Sequence, residues 1–422
     1  MSTADLTVMP LVATMIGTTL IVLGFRRIVF VSAALLSPRS LAPAKTPGSM
    51  LVLMAARNEA AVVESALRSF DRLAHRDSIE ITLIDDGSTD GTNAILARWA
   101  ESRPQSRVVT IPRLADSTGG KSAALAAGLA ASPRTDLVAV VDADFEVMPD
   151  GLERLAAGFS DTTVGSVSGY LRPRNAELGI VARYAALESW LHQLVTSAAK
   201  DRLDLDPPTI GVWMVRRDIL DSIGGFPSCV TGEDVRVAAA ITRRGFRTRF
   251  ISTAVGSNQV AATLAEYWWQ HLRWARDVYA TGRRPRSPSE TVRAQEARET
   301  RRALLPRIER ILSASGYADR LALVTGAALT ACGSLPPAIL LFYVTIIVIE
   351  IVVATRRGAS GRHGETLRVL AAAATVLAVD VIATAVATMG AAIGTHPSWR
   401  RSERRPEPII ITRRGKPRRG PT

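Results

Sequence analysis

An α/β domain with a mostly parallel sheet, flanked by membrane-spanning helices, is the fold class this sequence predicts, and three observations predict it. Between Ser49 and about Gly282, short apolar runs alternate with stretches of helical period, the pattern of strands joined by crossover helices. Outside that interval the apolar residues pool into long runs near both ends, with the ~20-residue length a spanning helix needs. Acidic residues also cluster directly after two of the central apolar runs, where open α/β sheets bind their ligands.

Composition narrows the function classes. A chain of 422 residues, 47% hydrophobic and 22% charged, is too apolar for a disordered protein. Two cysteines, Cys229 and Cys332, exclude a disulfide framework and a Cys-rich zinc site. The five histidines show no paired spacing, so any metal is expected to be a hard cation held by carboxylates. The net charge of +13 concentrates in Arg26-Arg27, just after an apolar run, and in the tail from Arg400 to Arg419. That placement points to a bilayer and the positive-inside rule rather than to nucleic acid.

Taken in chain order, Leu6–Phe25 reads as a span within an N-terminal anchor and linker (1–48). Asp5 before it and Arg26-Arg27 after it favour a retained anchor with its N-terminus outside over a cleaved signal peptide. Within the central domain (49–282), strands are expected at Met50–Met54, Ile79–Ile84, Arg107–Ile111 and Leu137–Val141. Helices are expected over Glu59–Phe70, after Thr89, and from near Lys121. The region 283–320 is mostly charged with interspersed apolar residues and reads as an amphipathic interfacial helix. Within 321–395, Leu321–Ala354 is broken by Pro336-Pro337, giving one kinked span or a tight hairpin, and Thr366–Ile393 is a further span. If the domain and the basic tail (396–422) are both cytoplasmic, the C-terminal spans must be even in number. Two are expected, which places Arg356, Arg357 and Arg362 outside. Glu350 and Asp380 fall at or near membrane depth and are expected to pair within the bundle or to serve a function.

Several motifs carry chemistry. Asp142-Ala143-Asp144 offers two carboxylates at a strand end, the donor set a Mg2+ or Mn2+ ion on a diphosphate requires. Gly119-Gly120-Lys121 fails the P-loop pattern because Ala115 stands where its first glycine belongs. It remains a Gly pair opening a helix, with a cation in the first turn. Gly232-Glu233-Asp234 precedes a helical stretch, where Asp234 is either a helix-end charge or a general base at a reachable junction. Gln270, Arg273 and Trp274 share one helical face, able to bind phosphate oxygens and to stack on a sugar.

In this order, Asp85-Asp86-Gly87, Gly119-Gly120-Lys121, Asp142-Ala143-Asp144, Gly232-Glu233-Asp234 and Gln270…Arg273-Trp274 resemble membrane-bound glycosyltransferase family 2. Its relatives include cellulose, hyaluronan, chitin-oligosaccharide and poly-N-acetylglucosamine synthases, and ceramide glucosyltransferase carries a similar final motif. The resemblance implies a GT-A type nucleotide-sugar-binding domain and an inverting transfer from a UDP-sugar to a growing glycan, as in a polysaccharide or oligosaccharide synthase, with transfer of a single sugar to a membrane lipid as the alternative. Mg2+ or Mn2+ would be the cofactor, at the plasma membrane with the domain cytoplasmic, in a chain that could form homo-oligomers. It implies that Ala55, Arg57, Glu59, Asp85 and Asp86 hold the nucleoside and that Lys121 lies near the nucleotide. Asp142 and Asp144 ligate the metal, Asp234 with Glu233 beside it supplies the base, and Gln270 and Arg273 hold the pyrophosphate. Trp274 and Gly211 face the acceptor, and Cys229 lines the site without reacting. Ala55 stands where the family often has Pro, and Gly211-Val212-Trp213-Met214 matches no one subfamily.

Overall fold

The computed structural model describes residues 3–36, 48–112, 120–227, 229, 232–282, 309, 318–359 and 364–393. Eight strands form one sheet in the order β3-β2-β1-β4-β7-β6-β8-β5. They are β1 Met50–Ala56, β2 Ile79–Asp85, β3 Ser106–Thr110, β4 Leu137–Val140, β5 Glu146–Val147, β6 Val164–Pro173, β7 Trp213–Arg216 and β8 Arg247–Asn258. β1 lies parallel to β2 and β4, β2 to β3, and β6 to β8. β7 runs antiparallel to β4 and β6, and β5 to β8. All four residues of β4, and all of β1 except Ala55, are buried. Burial on both faces is why these strands read as unbroken apolar runs rather than alternating ones.

The first helix, α1, covers Thr3–Leu35; the domain's helices are α2 Val63–Phe70, α3 Thr92–Glu101, α4 Gly120–Ala130, α5 Gly151–Ala157, α6 Ile180–Trp190, α7 Ala198–Arg202, α8 Arg217–Ser222 and α9 Glu233–Arg243. A π-helical turn, Leu191–Ser197, makes α6 and α7 one continuous rod. On one sheet face Val63, Leu67, Phe70 and Leu96 pack over Val52, Met54 and Leu83. On the other, Leu125, Leu129, Val237 and Ile241 cover Leu51, Leu53 and Trp213. The strand expectations hold to within two residues. The helix expected from Glu59 begins instead at Val63, because the intervening residues form a turn tied to the next loop: Glu59 N–H donates to Thr92 Oγ1 and Ala60 N–H to an Asp90 carboxylate oxygen.

Four more helices complete the described chain: α10 Leu264–Gly282, α11 Ala318–Ala331, α12 Pro337–Gly358 and α13 Glu365–Ile393. Among the described residues, three segments are long and apolar enough to cross a membrane, Met9–Leu35, Pro337–Gly358 and Glu365–Ala383. Pro336-Pro337 resolves as a hairpin turn, with Pro336 capping α12 and Pro337 in its first turn, where proline's missing N–H costs no bond. Gly17 meets Leu335 and Ile339, Gly24 meets Phe342, and Arg357 donates to the Ala34 carbonyl oxygen. α1 and α12 are therefore parallel. α11 runs opposite, since Gly326 meets Leu20 while Asp319 pairs with Arg27.

Two expectations change here. α1 does not stop at Phe25 but continues to Leu35. Arg26 and Arg27, expected to mark the membrane exit, turn inward instead: Arg26 pairs with Glu309, and Arg27 with Glu350 and Asp319. Arg357 was expected on the far side. It sits at the domain end of α12, one residue before Gly358, whose bare Cα lets the helix close on the Trp190 ring; an added Cβ would lie 2.3 Å from it. Arg362, most of the expected interfacial helix in 283–320, and the tail 396–422 lie outside the described residues.

Candidate active site

Order 3-2-1-4 places the topological switch between β1 and β4, so a crevice opens beyond their carboxyl ends. The chain leaving β1 carries Arg57, which is exposed, and Glu59, which is half-buried, past Asn58 in the left-handed region (φ 54°). The Asn58 side chain accepts from Thr89 N–H and its own N–H donates to Ser88 Oγ. The β1 and β2 loops are thereby stapled into one ledge. Asp85 ends β2 in register with Ala56. Its two carboxylate oxygens accept from Ser88 N–H (3.1 Å) and Asn93 Nδ2 (3.1 Å), so it shapes the ledge, with Asp86 buried beside it. Ala55 is the one incompletely buried residue of β1.

Val141 N–H still bonds Leu53, and the chain then turns through Asp142-Ala143-Asp144, closed by Phe145 N–H donating to the Asp142 carbonyl oxygen. Lys121, in the first turn of α4, reaches across the crevice. Its Nζ lies 2.5 Å from Asp142 Oδ1 and 2.6 Å from Glu233 Oε1. Burial works against the ammonium ion, but the two carboxylates outweigh it and hold Lys121 well above the usual lysine range. Gly232, at φ 71°, supplies the left-handed turn that starts α9, a conformation other residues adopt at a cost. Glu233 and Asp234 thus emerge together at the helix N-terminus.

Asp234 is half-buried, and its Oδ1 accepts from Val235 N–H at 2.7 Å. Desolvation first, then the neighbouring Glu233 charge, push its carboxyl up to about 7, against the lowering effect of Lys121. A carboxylate poised near neutral pH is what a general base requires. Cys229 hydrogen-bonds Ser122 and is pushed up by burial, the state of an unreactive thiol.

The structure thus gathers Lys121, Asp142, Glu233 and Asp234 into one coupled cluster, with Asp144, 8% exposed, two residues along. The donor set fits a hard cation: oxygen atoms alone, at a strand end facing the crevice. Lys121 shares the Asp142 charge, which leaves Asp144 the stronger prospective ligand. Gly211, at φ 69°, leads into β7 against Leu171.

Gln270, Arg273 and Trp274 lie on α10, whose start is fixed by a capping box. Ala262 and Thr263 N–H donate to Glu266, and Glu266 N–H donates to Thr263 Oγ1. Trp274 is 43% exposed, and its ring lies 5.1 Å from that of His271. α10 packs against α6 and α13. A cluster absent from the sequence reading lies behind it, where Glu188, His271 and Asp380 bring potential ligand atoms within 4.8 Å of one another. Arg320 binds both carboxylates, which makes this an ion-pair network rather than a cation site. Its only sequence signals were Asp380 and the histidine inside the Gln270…Trp274 motif.

The fold is of the GT-A type. It aligns with the mannosyltransferase PcManGT from Pyrobaculum calidifontis, solved in complex with GDP-Man and Mn2+, at a TM-score of 0.55 and 24% identity, over 86% of this chain and 98% of that one. More particularly, residues 51–224 match the family described as Glycosyl transferase family 2. The chain is 28% identical to the probable glycosyltransferase YdaM of Bacillus subtilis, over 53% of this chain and 54% of the relative. It is likewise 28% identical to the beta-monoglucosyldiacylglycerol synthase of Synechocystis sp., over 54% of this chain and 47% of the relative. The chain spans about half the length of the curated relatives it matches.

Proposed function

We propose that this protein is an inverting membrane glycosyltransferase that moves one sugar from a UDP-sugar to a lipid acceptor. The coupled cluster of Lys121, Asp142, Glu233 and Asp234 carries the transfer reading. In the proposed step Asp234 removes the proton from the acceptor hydroxyl as its oxygen bonds the anomeric carbon. The bond from that carbon to the diphosphate breaks on the opposite face, and the nucleoside diphosphate leaves. Lys121 holds Asp142 and Glu233 in place and keeps the Asp234 carboxyl from rising further. Asp144 and Asp142 would hold Mg2+ or Mn2+, which when bound would neutralise charge on the departing diphosphate. Arg57, Glu59 and Asp86 line the nucleoside side, and Gln270 and Arg273 serve the pyrophosphate.

The lipid acceptor rests on where α10 lies. Both Glu365 and Asp380 of α13 reach α6, through Arg183 and Tyr184, so the domain sheathes the first half of that apolar helix. α10 packs against α13, a helix apolar enough to span a bilayer, which supports a reading in which a headgroup hydroxyl is presented beside it. The relatives include a glucosyldiacylglycerol synthase, which supports the same reading. A growing glycan is the second reading, favoured by Trp274, an exposed indole able to stack on a sugar ring. The test uses purified protein, vesicles containing diacylglycerol, and UDP-glucose, UDP-galactose, UDP-N-acetylglucosamine and GDP-mannose in turn, with Mn2+. One glycolipid product is expected, and a ladder of products would favour the glycan. In Asp234→Asn, donor binding should persist while transfer falls ~10²–10⁴-fold. Near-normal turnover in that variant would remove the base assignment.

A further inference from the structure

We infer that Glu188, Arg320 and Asp380, acting through His271, are positioning residues that fix the helix bearing Gln270, Arg273 and Trp274 to the membrane bundle. The inference rests on the transferase reading for its catalytic meaning but on geometry alone for the coupling. His271 Nε2 lies 3.1 Å from a Glu188 oxygen and Nδ1 lies 2.9 Å from the Tyr267 carbonyl oxygen. Both ring nitrogens thus face acceptors, so the ring carries both protons. Tyr267 stacks on it at 3.9 Å, and the Trp274 ring lies tilted against it at 5.1 Å. Arg320 of α11 donates to Glu188 of α6 at 2.9 Å and also to Asp380 of α13, while Tyr184 donates to Asp380 at 3.3 Å.

Two cations and two carboxylates therefore close a neutral cluster in which His271 is 5% exposed and Asp380 is fully buried. A buried charge left without its partner is strongly unfavourable, so none of the four helices can shift alone without breaking the set. The cluster also extends outward: Asp319, beside Arg320, pairs with Arg27 of α1, which pairs with Glu350 of α12. Every described membrane-side helix thereby connects, through ion pairs, to the ring against which Trp274 lies. Such a linkage fixes the distance between an acceptor held at the bilayer and the base at Asp234. Misplacement by about 1 Å can cost ~10²-fold in rate.

The test compares wild type with Asp380→Asn, Glu188→Gln and the conservative Asp380→Glu, in nanodiscs. Hydrogen–deuterium exchange is read on peptides covering Tyr267–Trp274, with the buried strand Met50–Ala56 as an internal reference. Asp380→Asn and Glu188→Gln should raise α10 exchange ~10-fold or more and leave the strand protected. The kcat/KM for diacylglycerol vesicles should fall ~10–10²-fold. Asp380→Glu should recover most of it. Unchanged α10 exchange in both Asp380→Asn and Glu188→Gln overturns the coupling, whatever the activity. Raised exchange with unaltered kcat/KM overturns its catalytic role. If wild type transfers from no donor, the proposed function falls, and the exchange data still decide whether the linkage exists.

Discussion

Replacing Lys121 with Met should move the pH dependence of transfer toward alkaline values, and the size of the move follows from the site. The Lys121 ammonium lies within 2.6 Å of both Asp142 and Glu233, and it lowers the carboxyl of Asp234, which stands at about 7. A unit charge removed from roughly 6–8 Å away, at an effective dielectric constant of about 20, changes a neighbour's ionisation by about 2–3 kcal/mol. At 1.36 kcal/mol per unit that is about 1.5–2 pKa units. Because Lys121 is 32% exposed, solvent screening reduces the expected shift to about one unit. The sign is fixed by chemistry: the base works as carboxylate, so activity rises with pH through its pKa, and losing a cation raises that pKa. About half the enzyme is active at pH 7 in wild type and about a tenth in the variant, a roughly fivefold deficit that closes by about pH 9. The assay is kcat/KM for the donor across pH 5.5–9.5, which reports the free enzyme. A uniform loss of donor binding would lower the curve without moving its limb. A limb that stays in place, or moves toward acid, refutes the coupling of Lys121 to Asp234.

Three further expectations can be checked independently. The Asp234 carboxyl is raised in the fold above its unfolded value, so its ionisation opposes folding progressively as pH rises from about 4 to 7; Asp234→Asn should raise Tm at pH 8 and leave it unchanged near pH 4, as read by differential scanning fluorimetry. Chelation with EDTA should abolish transfer and added Mg2+ or Mn2+ restore it, and Asp144→Asn should lose the Mn2+-dependent part of the stabilisation by UDP; equal stabilisation in that variant would move the metal elsewhere. Arg27→Met strands Glu350 and Asp319 inside the helical bundle, at a cost of about 3–5 kcal/mol, so the yield of monodisperse protein should collapse and partly recover when Glu350→Gln is added.

The placement of the candidate site's acidic residues was legible because it is local in sequence. Asp142 and Asp144 follow a buried strand directly, and Glu233-Asp234 follow the glycine that turns the chain, so the residue pattern already encoded their placement. Two contacts in the same site were not legible. Lys121 reads as an anion binder at a helix start, yet the fold brings Glu233, more than a hundred residues away, onto its ammonium ion. Asp85 reads as a nucleoside ligand, and its oxygens also accept from Ser88 and Asn93, which tie it into the ledge. In both cases tertiary partners decide what a charged residue does, and nothing in a single chain reports them. Helix α1 runs past its expected end for a related reason. Arg26 and Arg27 signal a membrane boundary only when water receives them, and here acidic groups on neighbouring helices do.

Those inward arginines change how the chain's positive charge must be interpreted. The positive-inside rule counts cations that face the aqueous phase, so Arg26, Arg27 and Arg320, each paired with a carboxylate and none more than 25% exposed, carry no vote on orientation. Arg357 does, since it caps the domain end of α12. α11 leads away from the domain, α12 returns to it, and α13 leaves again, sheathed by α6 as far as Asp380. The stretch of α13 apolar enough to cross, Glu365–Ala383, lies almost wholly within that sheathed half. For α13 to cross, the level of α6 and α10 must itself lie within the interfacial layer of the bilayer. A cysteine at Leu367, 74% exposed on the sheathed half, should then react slowly with a membrane-impermeant maleimide added from the domain side and quickly once detergent removes the lipid. Fast labelling in intact vesicles would place that half of α13 in water and separate α10 from the headgroups.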